Sequence, residues 1–499
     1  MTSSLPAMAI RPHPHLYQIN AWGWLEDLSA RYRRTIQLAD VPDEEWSTLA
    51  QRGFDIVWLM GVWQRSGESR RITLAEPANF SVFDRALPGW EPRDVVGSPY
   101  AVAQYVPDPR IGTWNDLHRV RKKLHELGMA LFLDFVGNHT ALDHPWTREH
   151  PEFYVQGTRQ DFETDPSSFF VADTNGGTRF LALGKDPYFL PWKDTAQLNH
   201  FSPAMRAAQL ATLATIANYC DGVRCDMAML HLSDIFTKIW GPLIGNFKPL
   251  QREFWTEAHA ALPSFTLLAE AYWGTESRLL DLGFSFSYDK GLYDAVRDTN
   301  RGDVHARLRS ALAYQSRLVR FLENHDEPRC AEVFGTERLA AVGTLMGTLP
   351  GMRFYHQGEL EGCKVHRPLT LGRVVEETPD PAASAFFNKI LRIADDKVFH
   401  EGQWSLLDVK PVDESTSENL VAYEWRSEKS WKVIVVNLAS TASEGRVQLS
   451  DRTSPSKEYV FDDQLNGVRY PRSGRELQNP GLFVRLEGSQ AHICEVTSA

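Results

Sequence analysis

Apolar runs of strand length recur along the chain up to residue 358, separated by segments whose apolar residues fall at helical spacing. The runs are "LYQINAW" (16–22), "IVWLMGV" (56–62), "ALFLDFV" (130–136), "GVRCDMA" (222–228), "FTLLAEA" (265–271), "FSFSY" (284–288), "LVRFLEN" (318–324) and "MRFYHQG" (352–358). Between them, "WNDLHRVRKKLHELG" (114–128), "PAMRAAQLATLATIANY" (203–219), "QREFWTEAHAAL" (251–262) and "ERLAAVGTLMGTL" (337–349) carry the 3.6-residue period, the second opening on a Pro and the first ending on a Gly. Strand–helix alternation predicts a parallel sheet, and eight units predict a closed (β/α)8 TIM barrel.

Two regions break the rhythm. Residues 140–200 are too long for a simple loop and contain the turn-rich stretches "DTNGGTRF" and "GKDPYFLPW". They predict a subdomain inserted after the third strand. Beyond about residue 395 the helical period stops. "LVAYEWRS", "KSWKVIVVNLAS", "RVQLS" and "GLFVRLEG" read as antiparallel strands of a C-terminal β-sandwich. The expected organisation is a barrel over 1–139 and 201–395, an insert over 140–200, and a sandwich over 396–499.

One strand raises a chemical question. "GVRCD" puts Arg224 and Asp226 on one face of an apolar run and Val223 and Cys225 on the other. Such charges belong in an interior only when paired. In a barrel they would point inward at the carboxyl end, where barrel active sites are built. Three further runs end the same way: at Asp134, followed by Asn138 and His139; at Glu270; and at "ENHDEPR", with His325 and Asp326. Four strand ends bearing carboxylates at similar heights form a cluster. Clustered carboxylates suit glycoside hydrolysis, which needs one as nucleophile and a second, protonated, as acid. Arg224 would keep Asp226 ionised.

Composition narrows the partners. The net charge of −11 disfavours nucleic acid and anionic membrane surfaces, and no apolar run reaches the ~20 residues of a membrane span. Five cysteines, an odd number without a C-x-x-C spacing, suggest free thiols in a reducing compartment, hence a cytoplasmic protein. Fifteen tryptophans serve a large core or stacking platforms for sugar rings.

These segments resemble the four signature regions of the alpha-amylase family, glycoside hydrolase family 13: "DFVGNH" (134–139), "GVRCD" (222–226), "AEAYW" (269–273) and "ENHDEPR" (323–329). "QLNHF" (197–201) and "GSPYAVAQY" (97–105) resemble its minor elements. The resemblance implies a retaining α-glycosidase: Asp226 as nucleophile, Glu270 as acid/base, and Asp326 holding hydroxyls of the distorted sugar. It implies that Tyr100, rather than Tyr105, stacks beneath that sugar, that His139 and His325 hydrogen-bond it, and that Arg329 reaches a neighbouring glucose unit. Arg224 would orient Asp226, and Asp134 would brace Arg224 from below. Trp63 and Trp273 lie at strand ends where they would line subsites, with Trp146 and Trp192 as further candidates; Cys225 is a buried strand residue.

The family's Lys-His after the nucleophile is replaced by Met229 and Leu230, which argues against a long-polymer cleft and against calcium, although Asn138 matches one calcium ligand of the family. No cofactor is required, no metal is expected, and Ca²⁺ is not favoured. The expected partner is a small α-glucoside or malto-type oligosaccharide; the oligomeric state is not legible. Transglycosylase, glucoside phosphorylase and isomerase readings use the same residues, and a non-catalytic amylase-like scaffold is the remaining alternative.

Overall fold

The computed structural model describes residues 5–244, 251–412, 416–449 and 452–498. The eight apolar runs become eight strands: His15–Asn20, Ile56–Met60, Ala130–Phe135, Gly222–Cys225, Thr266–Ala269, Phe286–Tyr288, Leu318–Arg320 and Met352–His356. Each pairs in parallel with its neighbours in sequence, and the first pairs with the last, closing the barrel. Both faces of these strands are covered, which is why they read as near-continuous apolar runs rather than alternating ones. Ile56–Met60 and Ala130–Phe135 are buried at every position. The predicted helices appear as Trp114–Glu126, Pro203–Ile216, Phe254–Ala261 and Gly335–Thr348.

Glycine opens the fourth strand for a steric reason. A Cβ on Gly222 would stand 2.6 Å from the Phe132 ring and 2.7 Å from the Thr266 carbonyl. Only Gly lets the strands beside it close to sheet distance, and that closure sets the height at which Arg224 and Asp226 emerge. In register, Arg224 lies opposite Asp134 on one side and Leu268 on the other.

The segment after the third strand forms its own small antiparallel structure. His139–Ala141 pairs with Thr195–Gln197, and Phe169–Thr174 forms a hairpin with Gly177–Ala182. A separate apolar cluster, including Phe153, Tyr154, Leu181 and Leu198, supports it. A second excursion, not anticipated from the pattern, follows the second strand: Trp63–Arg65 pairs with Val102–Pro107 around two short helices, Gly67–Ala75 and Phe80–Ala86. It carries Tyr100 to the mouth of the barrel.

At the C-terminus a six-stranded antiparallel sheet faces a three-stranded one across an apolar core that includes Leu420, Val433, Phe461 and Leu486. Five of its strands, among them Glu458–Asp463 and Ala491–Ser498, were not among those read from the pattern, and Ser450 of the expected strand 446–450 lies outside the described residues. The sandwich docks on the barrel through Trp425, whose Nε1–H donates to the Thr348 carbonyl at 2.7 Å and whose ring meets His13 edge-on at 5.0 Å. Among the described residues, no helix is long and apolar enough to cross a membrane.

Candidate active site

Barrel closure fixes the backbone just beyond two adjacent strands. The Asp226 N–H donates to the Phe135 carbonyl (2.9 Å) and the Glu270 N–H to the Cys225 carbonyl (3.1 Å), so both residues continue the ladder by one step before the chain turns away. Their side chains therefore emerge side by side at the carboxyl end. Arg224, buried beneath them, grips both: Nη1 lies 2.6 Å from Asp226 Oδ1 and Nη2 lies 2.8 Å from Glu270 Oε2. One guanidinium holding two carboxylates keeps them close together. Its planar fork suits this task, which a point-charge ammonium would do less well. The rings of Trp58 and Tyr100 lie 5.5 and 5.0 Å from the guanidinium carbon. Burial pulls the Arg224 pKa down, but Glu270, Tyr100 and Asp226 outweigh it, and the net shift is upward.

Glu270 is the most perturbed of the acids at the floor. Burial, reinforced by the charges of Asp226 and Asp326 and opposed by Arg224, raises its carboxyl to about 7. Its Oε2 accepts the Met227 N–H at 2.6 Å, and the Tyr272 hydroxyl donates to Oε1 at 2.9 Å. Met227 adopts a left-handed backbone, φ 44°, to present that N–H. Asp326 behaves in the opposite way. The cleft opens over it, leaving 42% of its side chain accessible, while protein surrounds the rest. Burial would raise its carboxyl, but His325, 3.0 Å away, and Arg224 hold it down at about 2. Three carboxyl groups of different character thus face one cleft of about 620 Å³, together with Tyr100, His139, Trp192, Trp273, Asp186, Asp194, Lys290 and Glu327. A carboxylic acid that stays protonated near neutrality beside a guanidinium-held carboxylate can protonate a leaving oxygen while its neighbour attacks.

Residues 52–277 match the family model of the alpha-amylase catalytic domain. That segment is therefore similar to the catalytic domain of alpha-amylases. Alpha-amylase MalA of Haloarcula japonica is 23% identical over 349 residues, covering 66% of this chain and 46% of that protein. Alpha-amylase 3 of Dictyoglomus thermophilum is 24% identical over 286 residues, 52% of each. The chain spans about half the length of the curated relatives it matches. The solved structure of a maltogenic alpha-amylase, AmyB of Thermotoga neapolitana, superposes with a TM-score of 0.68 at 19% identity, over 97% of this chain and 98% of that one, which establishes a shared fold.

Within this barrel, the structure brings together Tyr100, His139, Asp226, Glu270, Trp273 and Asp326, and it also places Trp192 in the cleft. Burial lowers the pKa of His139 despite the nearby Asp226 and Asp194. Several expected residues lie elsewhere. Arg329 does not reach a sugar. Its guanidinium turns away to Glu323 (2.6 Å), His356 (3.0 Å) and the Gln357 carbonyl (2.8 Å), and it is 1% exposed. The cause is the turn before it, where Asn324 Oδ1 accepts the N–H groups of Asp326 and Glu327 and redirects the chain. Trp63 is no subsite wall: it is 1% exposed, donates Nε1–H to the Asp134 carbonyl and packs on Tyr105 and Trp114. Asp134 does not brace Arg224 by contact, because its oxygens are taken by Trp58 Nε1 (3.0 Å) and the Gly61 N–H (2.6 Å); burial raises its carboxyl to about 6. His325 has both ring nitrogens engaged, Nδ1 with Gln18 and Nε2 with Tyr100 and Asp326, so it positions those groups. Trp146 packs on Phe153 inside the insert.

The donor set around Asn138 does not fit a calcium ion. Asn138 Oδ1 accepts from Gln197 Nε2 at 3.1 Å and lies 3.2 Å from His200 Nε2, so its oxygen is spent inside an amide–imidazole network. Met229 and Leu230 are fully buried, and among the described residues no three acidic, His or Cys side chains converge as a metal set. Calcium asks for six to eight oxygens, and no step is assigned to it.

Sequence reasoning passed over Tyr272 and the Met227 N–H, which bond Glu270, and Gln18 and Trp58, which bond His325 and Asp134. Only Tyr272 carried a signal, since it sits two residues after Glu270. It also passed over Phe189, Asp186, Asp194, Lys290 and Glu327 in the cleft wall.

Proposed function

We propose that the chain is a retaining α-glycosidase that cleaves small α-linked glucosides or malto-type oligosaccharides by double displacement. Asp226 attacks the anomeric carbon as Glu270 protonates the departing oxygen; Glu270, now ionised, deprotonates the acceptor, which releases the sugar from Asp226. Asp326 holds ring hydroxyls, and Tyr100 and His139 face the same ring. The supporting observation is the single guanidinium of Arg224 joining Asp226 to a Glu270 whose carboxyl stays protonated near pH 7. Such a linkage favours the ~5–5.5 Å spacing of a nucleophile–acid pair over the wider gap of inverting enzymes.

The cleft also bears on the acceptor. Asp186, Asp194, Asp226, Glu270, Asp326 and Glu327 line it, and its lysine, Lys290, is engaged by Asp294 (2.5 Å) and Glu327 (3.2 Å). A phosphate dianion would enter against like charge, so water or a neutral hydroxyl is favoured over phosphate. All five cysteines are free thiols, which supports a reducing, cytoplasmic setting.

The test is mechanism-based labelling. 5-Fluoro-α-glucosyl fluoride should leave one hexosyl adduct on the peptide containing Asp226, absent in Asp226→Asn. Released glucose should first appear as the α-anomer by NMR, and added phosphate should yield no glucose 1-phosphate. A β-anomeric first product, or an adduct on another residue, overturns the mechanism. A higher kcat/KM on soluble starch than on maltose-series sugars, sucrose or trehalose overturns the substrate class.

A further inference from the structure

Hydrophobic side chains stand fully in solvent at one point of the cleft rim. In "DPYFLPW" (186–192), Tyr188, Phe189 and Leu190 are 62, 74 and 86% exposed. Exposed apolar groups scattered singly need no explanation, but three in succession at a cavity mouth do. Their presentation is built. Pro187 and Pro191 flank the tip and restrict its backbone, and the Asp186 carboxylate accepts the N–H groups of Tyr188 (2.6 Å) and Phe189 (2.9 Å), fixing the turn. Across the mouth, Trp273 packs edge-on against Tyr188 at 5.1 Å, held in a left-handed backbone at φ 62°, which is costly for a bulky residue. Phe189, Trp192 and Trp273 line the same cleft whose floor is Asp226, Glu270 and Asp326.

The chemistry of this rim does not match a second sugar ring. A sugar stacks its C–H face on flat aromatic rings and needs polar groups around its hydroxyl edge. Leu190 offers no flat face. From Pro187 to Trp192 the only polar side-chain atoms are a tyrosine hydroxyl and an indole N–H, and Oδ1 of the adjoining Asp186 is already spent on the tip's own backbone. The group that leaves Glu270's side of the floor would therefore meet an apolar collar.

We propose that the tip 187–191 and Trp273 form a binding site for an apolar, aromatic or alkyl aglycone, so that the preferred substrates are glucosides of hydrophobic alcohols rather than of a second sugar. This deepens the glycosidase reading and rests on it. Burying apolar surface of the aglycone against Phe189, Leu190 and Trp273 supplies binding energy on the leaving-group side, and in the reverse direction it selects such alcohols as glycosyl acceptors.

The experiment measures kcat/KM of the full chain on benzyl α-glucoside, methyl α-glucoside, maltose and α-glucosyl fluoride. The wild type should favour benzyl over methyl by about tenfold or more, the range that small apolar contacts provide, and should favour benzyl over maltose. In Phe189→Ser/Leu190→Ser the benzyl-to-methyl ratio should fall about tenfold, a ratio in which losses of folded protein cancel. Fluoride needs no aglycone, so it separates the two claims. Turnover of the fluoride with no benzyl preference overturns the aglycone site alone; no turnover of the fluoride overturns the glycosidase reading and this one with it. A wild-type dimer that the double variant disperses, with the ratio unchanged, assigns the tip to contact between copies and overturns the proposal.

Discussion

Removing one hydroxyl group should make the enzyme work at higher pH. Tyr272 donates to Glu270 Oε1 at 2.9 Å, while Oε2 already receives the Met227 N–H at 2.6 Å and Arg224 Nη2 at 2.8 Å. When Glu270 is protonated its proton must sit on Oε1, and the phenol changes from donor to acceptor. The phenol does not ionise in the working range, because burial and the neighbouring Glu270 and Asp326 charges push its pKa upward. The bond to the ionised form is therefore charge-assisted, about 1.5–3 kcal/mol, against about 1 kcal/mol for the neutral form. Tyr272→Phe removes the difference, about 0.5–2 kcal/mol, and 1.36 kcal/mol is one pH unit. The basic limb of kcat/KM, set by Glu270 at about 7, should move upward by about 0.4–1.5 units. At pH 8 the wild type retains about a tenth of its plateau and the variant about a fifth to three quarters. The assay is kcat/KM against pH on maltose or an alkyl glucoside. α-Glucosyl fluoride serves as the control, since fluoride departs without a proton and should show no such limb. A limb that stays in place or moves downward in the variant refutes this account of Glu270.

Three further outcomes follow from the surrounding structure. At the barrel–sandwich junction His15 Nε2 lies 3.1 Å from buried Arg353, with the His400 ring 5.4 Å from that of His15, and burial next to Arg353 lowers His13 and His400 to about 3 and holds His15 well below the ordinary imidazole range. Folded pKa values below the unfolded 6.5 mean stability that is complete above pH 6.5 and is lost as pH falls toward 3; at pH 5 His13 and His400 each cost about 2 kcal/mol, and His15 adds in the same direction, so Tm should fall by roughly 5–10 °C between pH 7 and 5, and a flat Tm over that range contradicts it. Arg329→Met leaves Glu323 buried without its cation and should cost about 3–5 kcal/mol in denaturant unfolding, with KM for small glucosides changed less than about twofold; a tenfold rise in KM at unchanged stability would return Arg329 to the sugar. Gly222→Ala should destabilise by about 1–3 kcal/mol through its clash with Phe132 and the Thr266 carbonyl, and an unchanged unfolding midpoint would show that the strands can separate at no cost.

The division between what was legible in the sequence and what was not follows from the range of the forces involved. Barrel strands are covered on both faces, so each reads as an apolar run, and a carboxylate at its end stands out against that background; Asp226, Glu270 and Asp326 were visible for this reason. The partners that set their character come from distant positions brought together by closure. Gln18, on the first strand, holds His325, and through it Tyr100 and Asp326, across a gap of 307 residues in sequence. Trp58 donates to Asp134 Oδ1 across a gap of 76 residues. No local period encodes such meetings. Proximity in sequence can also mislead, as Arg329 shows. It lies three residues from Asp326, yet the turn capped by Asn324 sends the two to opposite sides of the loop, one into the cleft and one into a sealed ion pair with Glu323. The rim tip 186–192 fails differently, because apart from Trp192 its residues carry only the signals of turn-rich structure. Apolar side chains in a loop have no period to betray a face, and only the coordinates show that they stand in solvent beside Trp273 rather than in a core. The proposed reaction centre was thus legible because it sits where regular structure ends, whereas the rim proposed to select the aglycone sits where regular structure is absent. On the aglycone proposal, a barrel of this kind keeps the same floor and changes its substrate by rewriting seven residues of an inserted loop.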